Sequence, residues 1–258
     1  MLLAIDVGNS NTAIGCIHDA KIALAFRMKT DIMQTEDEYA AGMRRILDMN
    51  GAAFDKFTGA IISSVVPPLT GIFSKAVKKF AGIDALVVGA GIKTGLNILI
   101  DDPAQLGGDI VASAVAAAAA YTPPIIVVDM GTATKITALN KNAGFIGGAI
   151  FPGVALSMNA LAYGTSQLPK VPIEAPRRCI SANTIDCLKS GAIYGNASMI
   201  DGMIDRFEEE LGEKASIAAT GGLAGVIIRH CRRDMAYDPH LILRGLAIIY
   251  DRNVKKYT

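Results

Sequence analysis

The chain has 258 residues, of which 51% are hydrophobic and 19% charged, so it can bury a sizeable core and lacks the composition of a disordered chain. Its length allows one or two domains. The formal net charge of +1 provides no field that would draw it to nucleic acid or an anionic membrane, and Arg232-Arg233 and Lys255-Lys256 are only isolated pairs.

The four cysteines (Cys16, Cys179, Cys187, Cys231) form no C-x-x-C pair, and there are only three histidines. That argues against structural zinc and for free, buried thiols. Met1–Ile5 has no basic leader region before Asp6, and the Ala-rich run 111–120 is about half the ~20 residues of a membrane span. A cytoplasmic protein is expected.

In chain order, the aliphatic run Leu2–Ile5 predicts a strand that stops at Asp6-Val7-Gly8. Ala13–Ile17 and Lys21–Met28 continue a meander through a turn at His18-Asp19-Ala20. Tyr39, Met43, Ile46 and Leu47 share one face of a helix over Glu36–Asn50. Ala60–Ser64 is a strand ended by Val66-Pro67-Pro68, followed by a helix over Leu69–Phe80 and a strand at Ala85–Val88. Asp109–Tyr121, rich in Ala, is a helix by propensity. Ile125–Val128 is an aliphatic strand that again stops at Asp-x-Gly. Later, Asp201 begins a helix to Leu211, as its cap, and Leu223–Arg232 forms another.

The recurrence organises the chain. Asp6-Val7-Gly8-Asn9-Ser10-Asn11-Thr12 and Asp129-Met130-Gly131-Thr132-Ala133-Thr134 each follow an aliphatic strand and lead into a second. This reads as an internal duplication, with domains 1–121 and 122–258. Small hydroxyl and amide residues after a Gly suit a phosphate-binding hairpin, and an Asp at its start suits Mg²⁺. One such loop is an ordinary turn; two form a clamp on a polyphosphate. A third element, Thr220-Gly221-Gly222-Leu223, would let a nucleotide lie against the backbone. Finally, Gly107-Gly108 deliver Asp109 to the start of the Ala-rich helix. As an N-cap it would stay ionised, and an ionised carboxylate beside a phosphate chain can accept the proton of an attacking hydroxyl.

Paired Asp-x-Gly-Thr loops mark the superfamily of actin, sugar kinases and heat-shock ATPases. The full set, from Asp6-Val7-Gly8-Asn9 through Leu106-Gly107-Gly108-Asp109, the second loop, Gly147–Gly153, Thr165–Pro169 and Ala219–Ala224, resembles type III pantothenate kinases along essentially the whole chain. The resemblance implies an α/β fold of two duplicated ribonuclease H-like (actin-like ATPase) domains with a nucleotide cleft between them. It implies phosphorylation of pantothenate by ATP, the first committed step of coenzyme A synthesis, with Mg²⁺, a monovalent cation (K⁺ or NH₄⁺) and a homodimer. It makes Asp109 the general base, with Gly107 and Gly108 in the pantothenate pocket and Thr165 reaching it from a partner subunit. It puts Asp6 near metal and phosphates and Asp129 near the cation. The ATP set is Asp6, Gly8, Asn9, Ser10, Asn11, Thr12, Gly131, Thr132, Ala133, Thr134, Gly221 and Gly222.

Two positions depart from the family pattern. Ile110 stands where the family has an Arg that contacts the acid substrate, and Lys135 stands where it has a second Thr. A Lys there either replaces the monovalent cation or points to solvent. Ile110 leaves open a kinase of another hydroxy acid and a non-catalytic nucleotide-binding accessory protein.

Overall fold

In the computed structural model, residues 1–51 and 57–254 are described, so the Lys255-Lys256 pair lies outside the described residues. Aliphatic runs become strands wherever they are bounded by turn residues. In the first half these are β1 (Leu2–Val7), β2 (Asn11–His18), β3 (Lys21–Lys29), β4 (Gly59–Ser64) and β5 (Ala85–Val87). They form one sheet in the order β3-β2-β1-β4-β5. The meander pairs antiparallel, whereas β1, β4 and β5 run parallel.

The second half repeats this. Strands β6 (Ile125–Met130), β7 (Ala133–Leu139), β8 (Phe145–Pro152), β9 (Ser216–Thr220) and β10 (Ala236–Tyr237) order as β10-β9-β6-β7-β8, with the same parallel and antiparallel senses. The duplication read from two short motifs therefore extends to the whole of both sheets. This is the α/β, ribonuclease H-like plan that the motifs imply.

Parallel neighbours need crossover connections, and helices supply them. Helix α1 (Glu36–Met49) joins β3 to β4 and is closed at its start by a Thr35/Glu38 capping box. Helix α2 (Pro67–Ala81) joins β4 to β5. The prolines read as a strand stop are the first two residues of this helix, where a missing N–H is harmless. Tyr39, Met43 and Leu47 of α1 and Leu69 and Phe73 of α2 pack on Leu3, Ile5, Val7 and Ile62, all fully buried. The remaining helices are α3 (Gly108–Ala120), α4 (Val154–Gly164), α5 (Thr184–Ser190), α6 (Asn196–Leu211), α7 (Ala224–Ile227) and α8 (Leu241–Val254).

The chain divides into two compact units. One comprises residues 1–96, 102–116 and 241–258; the other comprises 97–101 and 117–240. These units do not follow a single cut at residue 121: residues 97–101 and 117–121 belong to the second unit, and α8 returns to the first. There Leu243 lies against Gly15 of β2, and Gly245 meets the Ala112 backbone of α3. In the second unit, Ile193, Ile200 and Ile204 cover Ile126, Val128 and Met130.

Three local expectations are corrected. Helix α6 starts at Asn196, ahead of Asp201, because a π-helical turn (Gly191–Gly195) carries helical backbone into it from α5. Asp201 therefore cannot cap that helix; its carboxylate accepts the backbone N–H groups of Arg232 and Arg233 instead. The helix expected over Leu223–Arg232 is only α7 followed by a 3₁₀ turn to His230. Of the four thiols, Cys16 is buried and Cys231 partly so, but Cys179 and Cys187 are exposed. Burial pushes Cys16 up to about 11; burial, with Asp201 nearby, pushes Cys231 up to about 12.

Candidate functional site

In the first unit, Asp6 is the penultimate residue of β1. Its partner on parallel β4 is Ser63, so the two side chains share one face of the sheet. Ser63 is fully buried, and its Oγ has no hydrogen-bond partner among the described residues. A buried hydroxyl left so costs about 1–3 kcal/mol unless water or a ligand meets it. Sequence reasoning missed Ser63; the available signal was a serine closing an aliphatic strand level with Asp-x-Gly.

Val7 pairs with Thr12, which leaves four loop residues, Gly8 to Asn11. Asn9, Ser10 and Asn11 are exposed, as a ligand-binding loop requires. The Gly8 N–H donates to the Asn11 carbonyl (3.2 Å) and the Thr30 N–H to the Ser10 carbonyl (3.1 Å). Thr30 Oγ1 also donates to the Gly8 carbonyl (2.7 Å) and lies 3.0 Å from Thr12 Oγ1. Thr12 is thus a buried brace, held by a Thr that no motif pointed to.

Asp109 lies inside the first turn of α3, since the helix begins at Gly108. It is not the N-cap that its sequence position suggested. The Ile110 N–H donates to its Oδ1 at 2.9 Å. The two preceding glycines are explained by crowding. A Cβ on Gly107 would lie 2.6 Å from Asp109 Oδ1, and one on Gly108 would lie 2.9 Å from Ser63 Oγ. So Gly107-Gly108 let this backbone close onto both Asp109 and the strand bearing Ser63, register partner of Asp6. Asp6, Ser63 and Asp109 are brought into one neighbourhood within this unit.

In the second unit, Met130 pairs with Thr134, which leaves only three loop residues, Gly131 to Ala133. Gly131 and Thr132 are exposed and Ala133 half-buried. The Gly131 N–H donates to the Ala133 carbonyl (3.1 Å), and the Gly153 N–H to the Thr132 carbonyl (3.1 Å). Thr134 is fully buried, and its Oγ1 has no hydrogen-bond partner among the described residues. With this hairpin one residue shorter, Thr134 occupies the register position equivalent to Thr12, and Lys135 that equivalent to Ala13.

Asp129 pairs directly with Lys135 across the strands. The Lys135 Nζ lies 2.7 Å from Asp129 Oδ2, with side-chain exposures of 15% and 9%. Lys135 therefore does not point to solvent.

The glycine pair after β9 meets this loop. Gly221 has φ +99°, and a Cβ there would lie 2.5 Å from the Met130 backbone. Only Gly satisfies both conditions. Gly221 and the more exposed Gly222 are thereby placed beside the second hairpin. The helix that follows has four residues, so the pair stands on close backbone approach and not on a helix terminus.

Thr165 follows α4 as its exposed C-cap; its Oγ1 donates to the Leu161 carbonyl (2.8 Å). Leu156, Leu161 and Tyr163 of α4 are exposed, as are Ile146 and Ile150 of the edge strand β8.

Residues 2–206 match the family description of type III pantothenate kinases. A type III pantothenate kinase of Halalkalibacterium halodurans is 40% identical over 254 residues, covering 98% of this chain and 100% of that protein. One from Bacillus cytotoxicus is 38% identical over 253 residues, covering 98% and 97%. Among solved structures, the activator of 2-hydroxyisocaproyl-CoA dehydratase from Clostridium difficile, crystallised with ADPNP, superposes with a TM-score of 0.56 at 9% identity. It covers 100% of this chain and 99% of its own, and the likeness is one of fold. The duplicated sheets, the two Asp-x-Gly hairpins and the full-length sequence matches agree: the chain belongs to the type III pantothenate kinase family.

Proposed function

We propose that this protein transfers the γ-phosphoryl group of ATP to the primary hydroxyl of pantothenate, with Asp109 as general base. The observation that carries the reading is the Gly107-Gly108-Asp109 turn, built so that backbone closes tightly around one carboxylate on the first turn of α3.

The exposed loops at Gly8–Asn11 and Gly131–Ala133, with Gly221 and Gly222, supply the donors for ATP's phosphates and ribose. Thr12 and Thr134 support those loops from beneath. The acceptor hydroxyl loses its proton to Asp109 as its oxygen bonds to the γ-phosphorus; the bond to the β-phosphate oxygen breaks and ADP leaves. Gly107 and Gly108 line the acceptor side.

The Asp6 carboxylate beside a buried, unpartnered Ser63 hydroxyl is a donor set of hard oxygens, which fits Mg²⁺ held directly or through water. When bound, the ion neutralises charge on the β- and γ-phosphates. The second carboxylate, Asp129, does not offer the same donor set, because Lys135 is already on it.

We assign the dimer contact to the exposed apolar residues of β8 and of α4, with Thr165 at the end of α4. Among the described residues no helix is long and apolar enough to cross a membrane, and we assign the protein to the cytoplasm.

Ile110 favours one competing reading, a kinase for a different hydroxy acid, since it offers no charge to an acid substrate. ADP release from the purified protein with ATP and Mg²⁺, with and without pantothenate, separates the two. Pantothenate-stimulated release is expected; release stimulated only by another hydroxy acid would overturn pantothenate as the acceptor.

A further inference from the structure

We infer that Lys135 is a built-in monovalent cation, so that nucleotide binding and turnover need no potassium or ammonium ion. The inference rests on the nucleotide-binding reading above.

The pair stands at the mouth of the second phosphate hairpin. Asp129 is the last residue but one of β6, and Lys135 is its register partner, with loop residues Gly131 to Ala133 between them. The Lys135 ammonium contacts the Asp129 carboxylate at 2.7 Å, and both side chains are largely withdrawn from water. Partly buried ion pairs gain little net stability, because desolvation offsets attraction. The position therefore asks for a role beyond packing.

A lysine ammonium carries the charge of K⁺ or NH₄⁺ in a compact head with three donors. A separate monovalent ion on the Asp129 carboxylate would sit against that head and meet like-charge repulsion. The residues present do not fit such an ion. The first hairpin makes the contrast: the position equivalent to Lys135 is Ala13, which carries no charge. The second loop has its cation covalently attached.

The test uses the full chain and measures binding of a non-hydrolysable ATP analogue with Mg²⁺ by calorimetry. Potassium, ammonium and tetramethylammonium chloride are compared at equal ionic strength. Melting temperature is followed against each salt without nucleotide. For the unmodified protein, affinities within about twofold across the three salts are expected, with no potassium-specific shift in melting. Lys135→Thr should lose at least tenfold in affinity in tetramethylammonium and regain it in potassium. Its thallium-205 resonance should show bound Tl⁺ where the unmodified protein shows none. Lys135→Arg, which keeps the charge, should remain salt-indifferent.

A tenfold gain of the unmodified protein in potassium overturns the inference, and this arm needs no variant to fold. So does a Lys135→Thr protein that binds nucleotide normally in tetramethylammonium. Failure of the unmodified protein to bind nucleotide in any buffer overturns the kinase reading as well.

Discussion

The two Asp-x-Gly hairpins are copies in topology but not in chemistry. The first has four loop residues, is braced from below by Thr30, and places Asp6 beside a buried Ser63 hydroxyl. The second has three loop residues, is tied to Gly153 and Gly221, and has Asp129 neutralised by Lys135. Duplication supplied the same strand–loop–strand frame twice. The copies differ by one residue in loop length and by Ala against Lys at one register position, and only the second sets a fixed positive charge against its aspartate.

The sharpest way to break this comparison is to neutralise each carboxylate in turn. Asp6→Asn should lower kcat by about 10²–10³-fold, since it removes the carboxylate proposed to hold the ion that would stabilise developing phosphate charge. Asp129→Asn should act mainly on stability. It strands a mostly buried ammonium, at a cost on the order of 2–3 kcal/mol in denaturant melts. Adding Lys135→Met to it should recover most of that loss, the signature of a coupled pair. Equal kinetic losses for the two single variants would dissolve the distinction between the hairpins.

The braces come next. Gly221→Ala should destabilise by at least about 1–3 kcal/mol from backbone conformation alone, and should weaken nucleotide affinity, because the new methyl collides with the Met130 backbone. Thr30→Val should cost about 1–2 kcal/mol through its lost bonds to Gly8 and Thr12. It should loosen only the first loop, visible as faster amide exchange there.

The smallest effect concerns a point on which the units agree. Each holds one shielded thiol, Cys16 in the first and Cys231 in the second. Alkylation at pH 8 should modify Cys179 and Cys187 quickly and these two slowly, as read by peptide mass spectrometry.

Much of this was legible in the sequence. Asp-x-Gly after an aliphatic run, twice, gave the strand–loop–strand frame, and Gly107-Gly108-Asp109 stood out because two glycines before a helix are locally expensive. What stayed hidden was set by pairing between distant strands. Ser63 and Thr30 belong to no motif; they matter because β4 lies parallel to β1 and because β3 turns back over the first loop. The partner of Lys135 depended on a hairpin one residue shorter than its twin, which shifts the register by one position. Local propensity misled at Pro67-Pro68, which open α2, and at Asp201, where helical backbone from the preceding turn overrode a plausible cap.

The central claim is that Asp109 takes the proton of the acceptor hydroxyl. Its most direct test is a single-turnover measurement of Asp109→Asn with ATP, Mg²⁺ and pantothenate, alongside its affinity for ATP. The account predicts a fall in the phosphoryl-transfer rate of about 10²–10⁴-fold with ATP affinity within about twofold of the unmodified protein. Phosphopantothenate formed at the unmodified rate would contradict it.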